Sequence, residues 1–266
     1  MLPSLLGTMI FIFIPFLDVI FKSFFNGVSG EFVAFKNYIN IFNNEAFKLA
    51  SFNTFKFICI CIPLLVVLSL LVAILLNNMT FKQEFFKTTF LIPMAIPVAS
   101  VVLLWTVIFN EKGVINGILN KFAITGTDWL NSDFAFWILV FTYIWRNLGY
   151  NIVLWLAGLS NISKSLYEAG SVDGANKKQL FIFITLPNLM PTIFTVSVLS
   201  LLNSFKVFRE AYLVAGEYPH NSMYMLQHTF NNWFNSLDID KLSSGATVLS
   251  VIIFILILML QKRLGK

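Results

Sequence analysis

Long uncharged stretches recur along the chain. Four of them contain no charged residue: 25 residues between Lys56 and Lys82, 23 between Lys87 and Glu111, 27 between Lys178 and Lys206, and 20 from Leu242 to Gln261. An α-helix rises about 1.5 Å per residue, so about 20 residues cross a hydrocarbon core roughly 30 Å thick. Each stretch therefore predicts a membrane-spanning helix.

Two further apolar stretches carry charges. In the first, Asp18 and Lys22 lie four residues apart, so on a helix they share a face and can pair. The second contains Arg146. Within lipid a helix satisfies its own backbone hydrogen bonds, so all these spans are predicted to be helical. The prediction is an all-α, polytopic single domain over 1–266 with six spans, near 4–25, 57–78, 88–109, 134–157, 187–208 and 243–261.

The composition agrees with a membrane protein. The chain is 58% hydrophobic and 12% charged, whereas a soluble domain carries about 25% charged residues. Its net charge of +5 is spread over short loops without interleaved aromatic residues, so no nucleic-acid partner is expected.

Cys59 and Cys61 lie in an apolar run and fit small apolar fillers. His220 and His228 show no metal-binding spacing and are expected in a loop, so neither metal nor catalytic residues are predicted.

The basic residues predict an orientation. Segments 78–87, 158–186 and 262–266 hold eight Lys and Arg in 44 residues, and segments 26–51, 111–133 and 215–244 hold five in 79. The first group comprises Lys82, Lys87, Lys164, Lys177, Lys178, Lys262, Arg263 and Lys266. Because the more basic loops stay inside, both termini and the loop 158–186 are predicted to be cytoplasmic.

The most informative segment of that loop reads LYEAGSVDGANKKQLFIFITLPNLMP over residues 166–191. Physically it predicts a short helix, a break at Asp173-Gly174 and a second helix that leads into the fifth span. Ser165 is the expected N-cap of the first helix. Glu168 follows three residues later, as in a capping box.

The same segment resembles the signature loop of the permease subunits of binding-protein-dependent ABC importers. That pattern is EAA, two residues, DGA, five residues, F, two residues, I, one residue, LP. Nine positions match in register: Glu168, Ala169, Asp173, Gly174, Ala175, Phe181, Ile184, Leu186 and Pro187. Gly170 departs from the pattern, since the family usually has a second Ala there.

Weaker likenesses to the carbohydrate branch of that family extend over the rest of the chain. They are Phe35-Lys36-Asn37-Tyr38, the run LIPMAIP at 91–97 with Trp105 and Gly113 to Asn116, and Ala157-Gly158-Leu159. The branch often has Gly-Gly-Pro after the fifth span, and here 215–219 reads AGEYP instead.

The resemblance implies a type I importer fold, in which the loop is a coupling helix that docks on an ATP-hydrolysing subunit. The implied coupling residues are Glu168, Ala169, Gly170, Asp173, Gly174 and Ala175. The implied partners are two ATPase subunits that bind ATP and Mg, a second permease in a heterodimer, and an extracytoplasmic solute-binding protein. The chain itself has no Walker A sequence, so it is expected to be a transport subunit rather than an enzyme. It would move a small solute, a sugar by the resemblance, across the cytoplasmic membrane of a prokaryote by alternating access.

Polar residues within the spans are candidates for the solute pathway, because intramembrane polar groups are costly and are typical of functional sites. They are Arg146, Asn147, Asn203 and Ser204. Hydrogen bonding to a neighbouring helix is the alternative role. Lys206, Arg209 and Glu210 are expected at the outer end of the fifth span.

Three other functions stay open. The first is an ABC importer permease for a non-sugar solute. The second is an ATP-independent transporter or channel, which would not need the loop. An integral membrane enzyme would need acid and base groups at one depth. Asp18 and Glu210 are the only acids expected in the spans, both near helix ends.

Overall fold

The computed structural model describes residues 2–77, 79 and 83–264. Lys82 and Lys266, which contribute to the predicted charge bias, lie outside the described residues, as does position 78 at the end of a predicted span. The described part consists of helices, connecting turns and one isolated β-bridge between Phe25 and Phe32.

The helices are numbered here in chain order. They are α1 Leu2–Lys22, α2 Lys36–Asn43, α3 Glu45–Asn77, α4 Gln83–Ala95, α5 Val98–Phe109, α6 Val114–Lys121, α7 Phe134–Ser160, α8 Lys164–Val172, α9 Lys177–Leu180, α10 Met190–Ala215, α11 Leu226–Asn235 and α12 Ile239–Leu264. After α9 the helical path continues through a π-helical turn at Phe181–Thr185 and a short helix at Leu186–Asn188. A π-helical turn at Met9–Phe13 lies within α1, and a 3₁₀ turn at Phe205–Val207 lies within α10.

Five helical segments of the described chain are long and apolar enough to cross a membrane. They are Leu2–Lys22, Glu45–Asn77, Val98–Lys121, Met190–Ala215 and Ile239–Leu264. The predicted fourth span corresponds to α7, which has 27 residues but carries Arg146, Asn147 and Asn151 near its middle. A helix packed inside the protein does not need the uniform apolarity of one that faces lipid.

Several helix ends differ from the predicted boundaries. The first helix ends at Lys22 rather than at 25, and the predicted pair of Asp18 with Lys22 is confirmed at 2.6 Å. The helix of the second span begins at Glu45, well before 57. Its added outer turns bury Phe47 under the last outer loop, a tertiary contact that hydropathy does not indicate.

The predicted third span, 88–109, is interrupted. Helix α4 ends at Ala95, and Pro97 is the N-cap of α5 with extended backbone (ψ 140°). Proline lacks an N–H and disfavours a helical conformation at the preceding residue, here Ile96. Pro93 is accommodated inside α4.

The helix of the fifth span begins at Met190 and reaches Ala215, beyond the predicted range 187–208. The expectation that Lys206, Arg209 and Glu210 mark its outer end is therefore wrong. The three residues lie within the helix, because the 3₁₀ turn continues the helical path instead of ending it.

The central helix is α7, which packs against α3, α4 and α10. Its polar groups bond to neighbouring helices. Trp155 Nε1 donates to Ser69 Oγ on α3 at 2.9 Å, and Tyr143 Oη donates to the Ser200 carbonyl on α10 at 2.6 Å. Asn151 Nδ2 also donates to Ser200 Oγ, at 3.0 Å. These bonds fix the depth of α7 relative to both neighbours.

Buried amides hold the outer loops together. Asn116 Oδ1 accepts from Trp129 Nε1 at 2.8 Å, and its Nδ2 donates to the Glu111 and Thr127 carbonyls at 2.8 Å each. Asn37, in the Phe35–Tyr38 likeness, donates to the Ser23 carbonyl at 3.0 Å. These residues therefore have structural roles at the ends of the spans.

Gly149 generates a specific expectation. A Cβ at this position would overlap the Phe90 carbonyl group, so α7 and α4 touch backbone to backbone here. We expect Gly149→Ala to destabilise the fold by at least the roughly 1–3 kcal/mol typical of overpacking, since backbone cannot move aside as a side chain can. Thermal unfolding in detergent measures this. In the control Gly117→Ala, the new Cβ meets nothing within 4 Å in a helix, so stability should be unchanged or slightly higher.

His228 generates a pH expectation. It lies buried on α11 rather than in a loop as expected, stacked on Tyr224 and edge-on to Phe208, and its Nδ1 accepts from the Met225 N–H at 3.1 Å. Burial lowers the pKa of His228 from 6.5 to about 4. The unfolded chain therefore binds the proton first, and stability should fall as the pH drops from about 6.5 to about 4, by roughly 3 kcal/mol in all.

The measurement is the unfolding temperature in detergent across that pH range. His228→Gln should flatten the dependence, whereas His220→Gln, on the less buried histidine, should keep it. An equally steep profile in His228→Gln would show that another group is responsible.

Candidate functional sites

The first candidate site is the hairpin formed by α8 and α9. Its first helix is capped by Ser163, whose Oγ accepts from the Ser165 N–H at 3.3 Å. The predicted capping box of Ser165 and Glu168 is therefore wrong. Ser163 has the extended backbone of an N-cap (φ −62°, ψ 133°), so Ser165 is already inside the helix and Glu168 is left exposed.

The predicted break at Asp173-Gly174 is present. Gly174 has φ +81°, a left-handed conformation that glycine adopts without steric cost. Its N–H donates to the Ser171 carbonyl at 3.1 Å, and the Ala175 N–H donates to the Gly170 carbonyl at 2.9 Å. This bond pair is a Schellman motif, which stops α8 sharply.

The second helix of the hairpin starts with a capping box. Asn176 Oδ1 accepts from the Gln179 N–H at 3.0 Å, and Gln179 Oε1 accepts from the Asn176 N–H at 2.8 Å. The chain therefore leaves one capped helix and enters another within a few residues, and the turn between them has little freedom.

Two contacts hold α8 against the segment that follows it. The Tyr167 hydroxyl and Thr185 Oγ1 are 2.9 Å apart and share a hydrogen bond. At Gly170, a Cβ would lie 2.8 Å from Leu180 Cδ2 and 3.0 Å from Ile184 Cδ1. Glycine in place of the family's Ala thus lets α8 lie close to α9 and to the π-helical turn that follows it. Tyr167 was not singled out from the sequence, where nothing marks its partner 18 residues away.

The outward face of the hairpin carries the predicted coupling residues. Glu168, Ala169, Asp173 and Gly174 are exposed, and Val172 between them is 87% exposed. A bare apolar side chain between two carboxylates, on a hairpin fixed by caps at both helix ends, suits docking into a complementary cleft.

The second candidate site is a cavity of about 420 Å³ where two helices are interrupted. It lies between the α4–α5 break, α7 and the 3₁₀ turn of α10. Its lining comprises Met94, Ala95, Ile96, Pro97, Val98, Tyr143, Arg146, Asn147, Asn203, Lys206, Val207, Arg209 and Glu210.

An ion pair crosses one wall of this cavity. Arg146 Nη1 on α7 lies 3.3 Å from Glu210 Oε1 on α10, and the two side chains are 13% and 6% exposed. Arg146 thus pairs with a neighbouring helix, the alternative role considered from the sequence, and it also lines a cavity.

Two other predicted candidates line the same cavity. Asn203 Oδ1 accepts from Lys206 Nζ at 2.7 Å, and Asn147 Nδ2 donates to the Tyr143 carbonyl at 2.8 Å. Ser204 does not belong to the lining. It is buried, and its Oγ donates to the Leu201 carbonyl of its own helix at 2.6 Å.

Sequence reasoning missed three charged residues of this cavity: Lys206, Arg209 and Glu210. A signal was available, because residues 203, 206 and 210 recur at spacings of three and four and so share one face of a helix. Interpreting these charges as the end of a span hid that periodicity.

The ion pair gives a stability prediction. Arg146→Gln leaves the Glu210 carboxylate buried without its partner, which should cost about 3–5 kcal/mol of unfolding free energy. The double variant Arg146→Gln/Glu210→Gln should recover most of the loss, because no charge is left unpaired. Thermal unfolding of the wild type, both single variants and the double variant measures the coupling. Lys48→Gln, which breaks the exposed Lys48–Glu45 pair, should change little.

Both the sequence and the fold resemble those of known proteins. Residues 65–264 match the family described as binding-protein-dependent transport system inner membrane component. The arabinooligosaccharides transport system permease protein AraP of Bacillus subtilis is 34% identical over 80% of this chain and 69% of its own length. The sulfoquinovosyl glycerol transport system permease protein SmoG of Agrobacterium fabrum is 32% identical over 93% of this chain and 83% of its own.

The fold also matches a solved structure, that of a bacterial ABC transporter involved in the import of the acidic polysaccharide alginate. The TM-score is 0.84 at 21% identity, over 100% of this chain and 94% of the other. The matched segment, 65–264, contains both the α8–α9 hairpin and the three helices around the polar cavity. The chain is thus a multi-pass membrane protein and belongs to the family of inner membrane components of binding-protein-dependent transport systems.

Proposed function

We propose that this chain is one permease subunit of an ATP-driven importer that carries a carbohydrate across the cytoplasmic membrane of a prokaryote. The observation that carries the proposal is the capped, exposed α8–α9 hairpin, on which the nine matched motif positions and the family membership converge. Two similar proteins are named as permeases for arabinooligosaccharides and for sulfoquinovosyl glycerol, which favours a sugar-containing solute.

The hairpin is suited to transmit movement from a partner. Helix α8 follows the end of α7 after a few residues, and the Tyr167–Thr185 bond ties it to the segment that leads into α10. A push on the exposed face of α8 therefore acts on α7 and α10 together. Two ATPase subunits would supply that push by binding and hydrolysing ATP with Mg, while this chain contributes no catalytic residue.

The polar cavity is suited to be part of the solute pathway. Arg146 is about midway along α7 and Asn203 about midway along α10, so the cavity would lie near mid-depth of a bilayer that both helices cross. Its walls belong to the two helices that the hairpin connects. A relative movement of α7 and α10 would change the separation of Arg146 and Glu210, and thereby the shape of the cavity, as alternating access requires.

The remaining subunits follow from the same proposal. A second, different permease would complete the pathway in a heterodimer. An extracytoplasmic solute-binding protein would deliver the solute to the side formed by α2, α6 and α11, opposite the hairpin. The bias of Lys and Arg supports a cytoplasmic position for the hairpin and both termini.

Copurification tests the proposal. The tagged chain, produced in its own host and extracted in mild detergent, should bring down an ATPase subunit and a second permease. Glu168→Lys reverses a charge at the centre of the docking face and should lose most of the ATPase while retaining the second permease. Glu111→Lys, an equally exposed carboxylate on the opposite side, is the matched control and should retain both.

The outcomes separate the alternatives. If the wild type brings down no ATPase under conditions that keep it folded, the importer proposal fails and an ATP-independent transporter takes its place. If both charge reversals lose the ATPase equally, the hairpin is not the docking element.

A further inference from the structure

We infer that the transported solute carries an anionic group, a carboxylate, phosphate or sulfonate, and that this group binds in the polar cavity between α5, α7 and α10. The inference rests on the proposed function, since it specifies the chemical class of that importer's solute. An acidic sugar or a sugar ester of a mineral acid would satisfy it, and a neutral sugar would not.

The charges around the cavity do not balance. Three cationic side chains line it, those of Arg146, Lys206 and Arg209, against the single carboxylate of Glu210 among the described lining residues. Glu210 lies beside Arg146. Within the described chain, Lys206 bonds to the neutral amide of Asn203, and Arg209 bonds only weakly, at 3.5 Å, to a backbone carbonyl. The described lining therefore keeps an excess of two positive charges, and neither Lys206 nor Arg209 forms a salt bridge in the part of the chain that the structure describes.

The break between α4 and α5 contributes further positive electrostatic potential to the cavity. Helix α5 has 12 residues, and its N-terminus, Pro97 and Val98, lines the cavity. Its N-cap is a proline with no side-chain hydrogen bond, so the first backbone N–H groups of α5 lack a cap. Free N–H groups and the positive end of the helix dipole at a helix N-terminus favour anions.

The ion pair is incomplete as a hydrogen-bonded unit. In the described residues, buried Arg146 Nη1 and Glu210 Oε2 have no hydrogen-bond partner although the two groups are adjacent. A guanidinium reaches its full strength in two parallel bonds to an oxyanion. If α7 and α10 separate, Arg146 gains room to bind the anionic group and Glu210 to accept from a sugar hydroxyl.

The energetics favour an anion over a neutral solute. An anion in the cavity is attracted by the two cations Lys206 and Arg209, and this attraction decays less in a partly enclosed site than in bulk water. A neutral sugar gains no such attraction. The volume, about 420 Å³, lies within the roughly 300–1,000 Å³ typical of small-molecule sites, so the anionic group and its sugar ring can enter together.

The test uses the assembled complex of this chain with its copurified permease and ATPase subunits. Thermal unfolding is followed while glucuronate, glucose 6-phosphate or glucose is titrated at matched ionic strength. For the wild type we expect stabilisation by at least one acidic probe at a concentration about tenfold or more below any effect of glucose. That ratio is the order expected for a hydrogen bond to a charged group.

The variant Lys206→Gln/Arg209→Gln removes the two unbalanced cations and breaks no salt bridge of the described chain. It should lose the preference for the acidic probes while its unfolding temperature without ligand stays close to that of the wild type. The matched control Lys112→Gln/Lys121→Gln, on the exposed segment around α6, removes the same charge and should keep the preference.

Failure of this inference is distinguishable from failure of the proposed function. If the ATPase copurifies but glucose stabilises the complex as well as the acidic probes do, or if the preference survives in Lys206→Gln/Arg209→Gln, the anion site is wrong and the importer proposal stands. If no ATPase copurifies, the same titration is made on the chain as purified, and an acidic preference there means that the site stands and the energy source is wrong.

Discussion

Polar groups inside a bilayer have no water to bond to, and this constraint organises the whole molecule around α7. Trp155, Asn151 and Tyr143 each donate to a group on α3 or α10, and together they fix where α7 lies between its neighbours. Gly149 lets α4 approach until the two backbones touch. With both depth and distance set, α7 holds α3, α4 and α10 in a defined arrangement around it.

The cavity depends on that placement. Two interruptions, at Ile96-Pro97 and at the 3₁₀ turn Phe205–Val207, face the same space because α7 holds α4 and α10 at the same depth. An interrupted helix exposes backbone polar groups, which within a membrane is tolerated only where protein or a polar cavity receives them. The cationic side chains and the exposed backbone groups of the two breaks therefore both require polar surroundings, and the same cavity provides them.

The hairpin and the cavity are connected by short, stiff paths. A Schellman motif ends α8 and a capping box begins α9, so the hairpin moves as a unit. Its two ends run into α7 and α10, whose side chains Arg146 and Glu210 meet across the cavity. In the proposed importer, a displacement of the hairpin would therefore act directly on the walls of the cavity, without any need for a longer chain of contacts.

The sequence alone determined what depends on local chemistry. Runs without charge located the helices, the spacing of Asp18 and Lys22 gave their ion pair, and Asp173-Gly174 gave the break, because each depends on residues a few positions apart. The loop motif identified the family for the same reason. Arg146, Asn147 and Asn203 were chosen because polar residues in a span are costly, and they do line one cavity.

The tertiary structure decided what depends on distant partners. Glu210 looked like the end of a span until α7 brought Arg146, 64 positions earlier in the chain, within 3.3 Å of it. His228 looked like a loop residue until α11 packed it beside Phe208 and Tyr224. Hydropathy describes whether a residue prefers water or lipid. It carries no information about which distant residue will contact it in the folded protein.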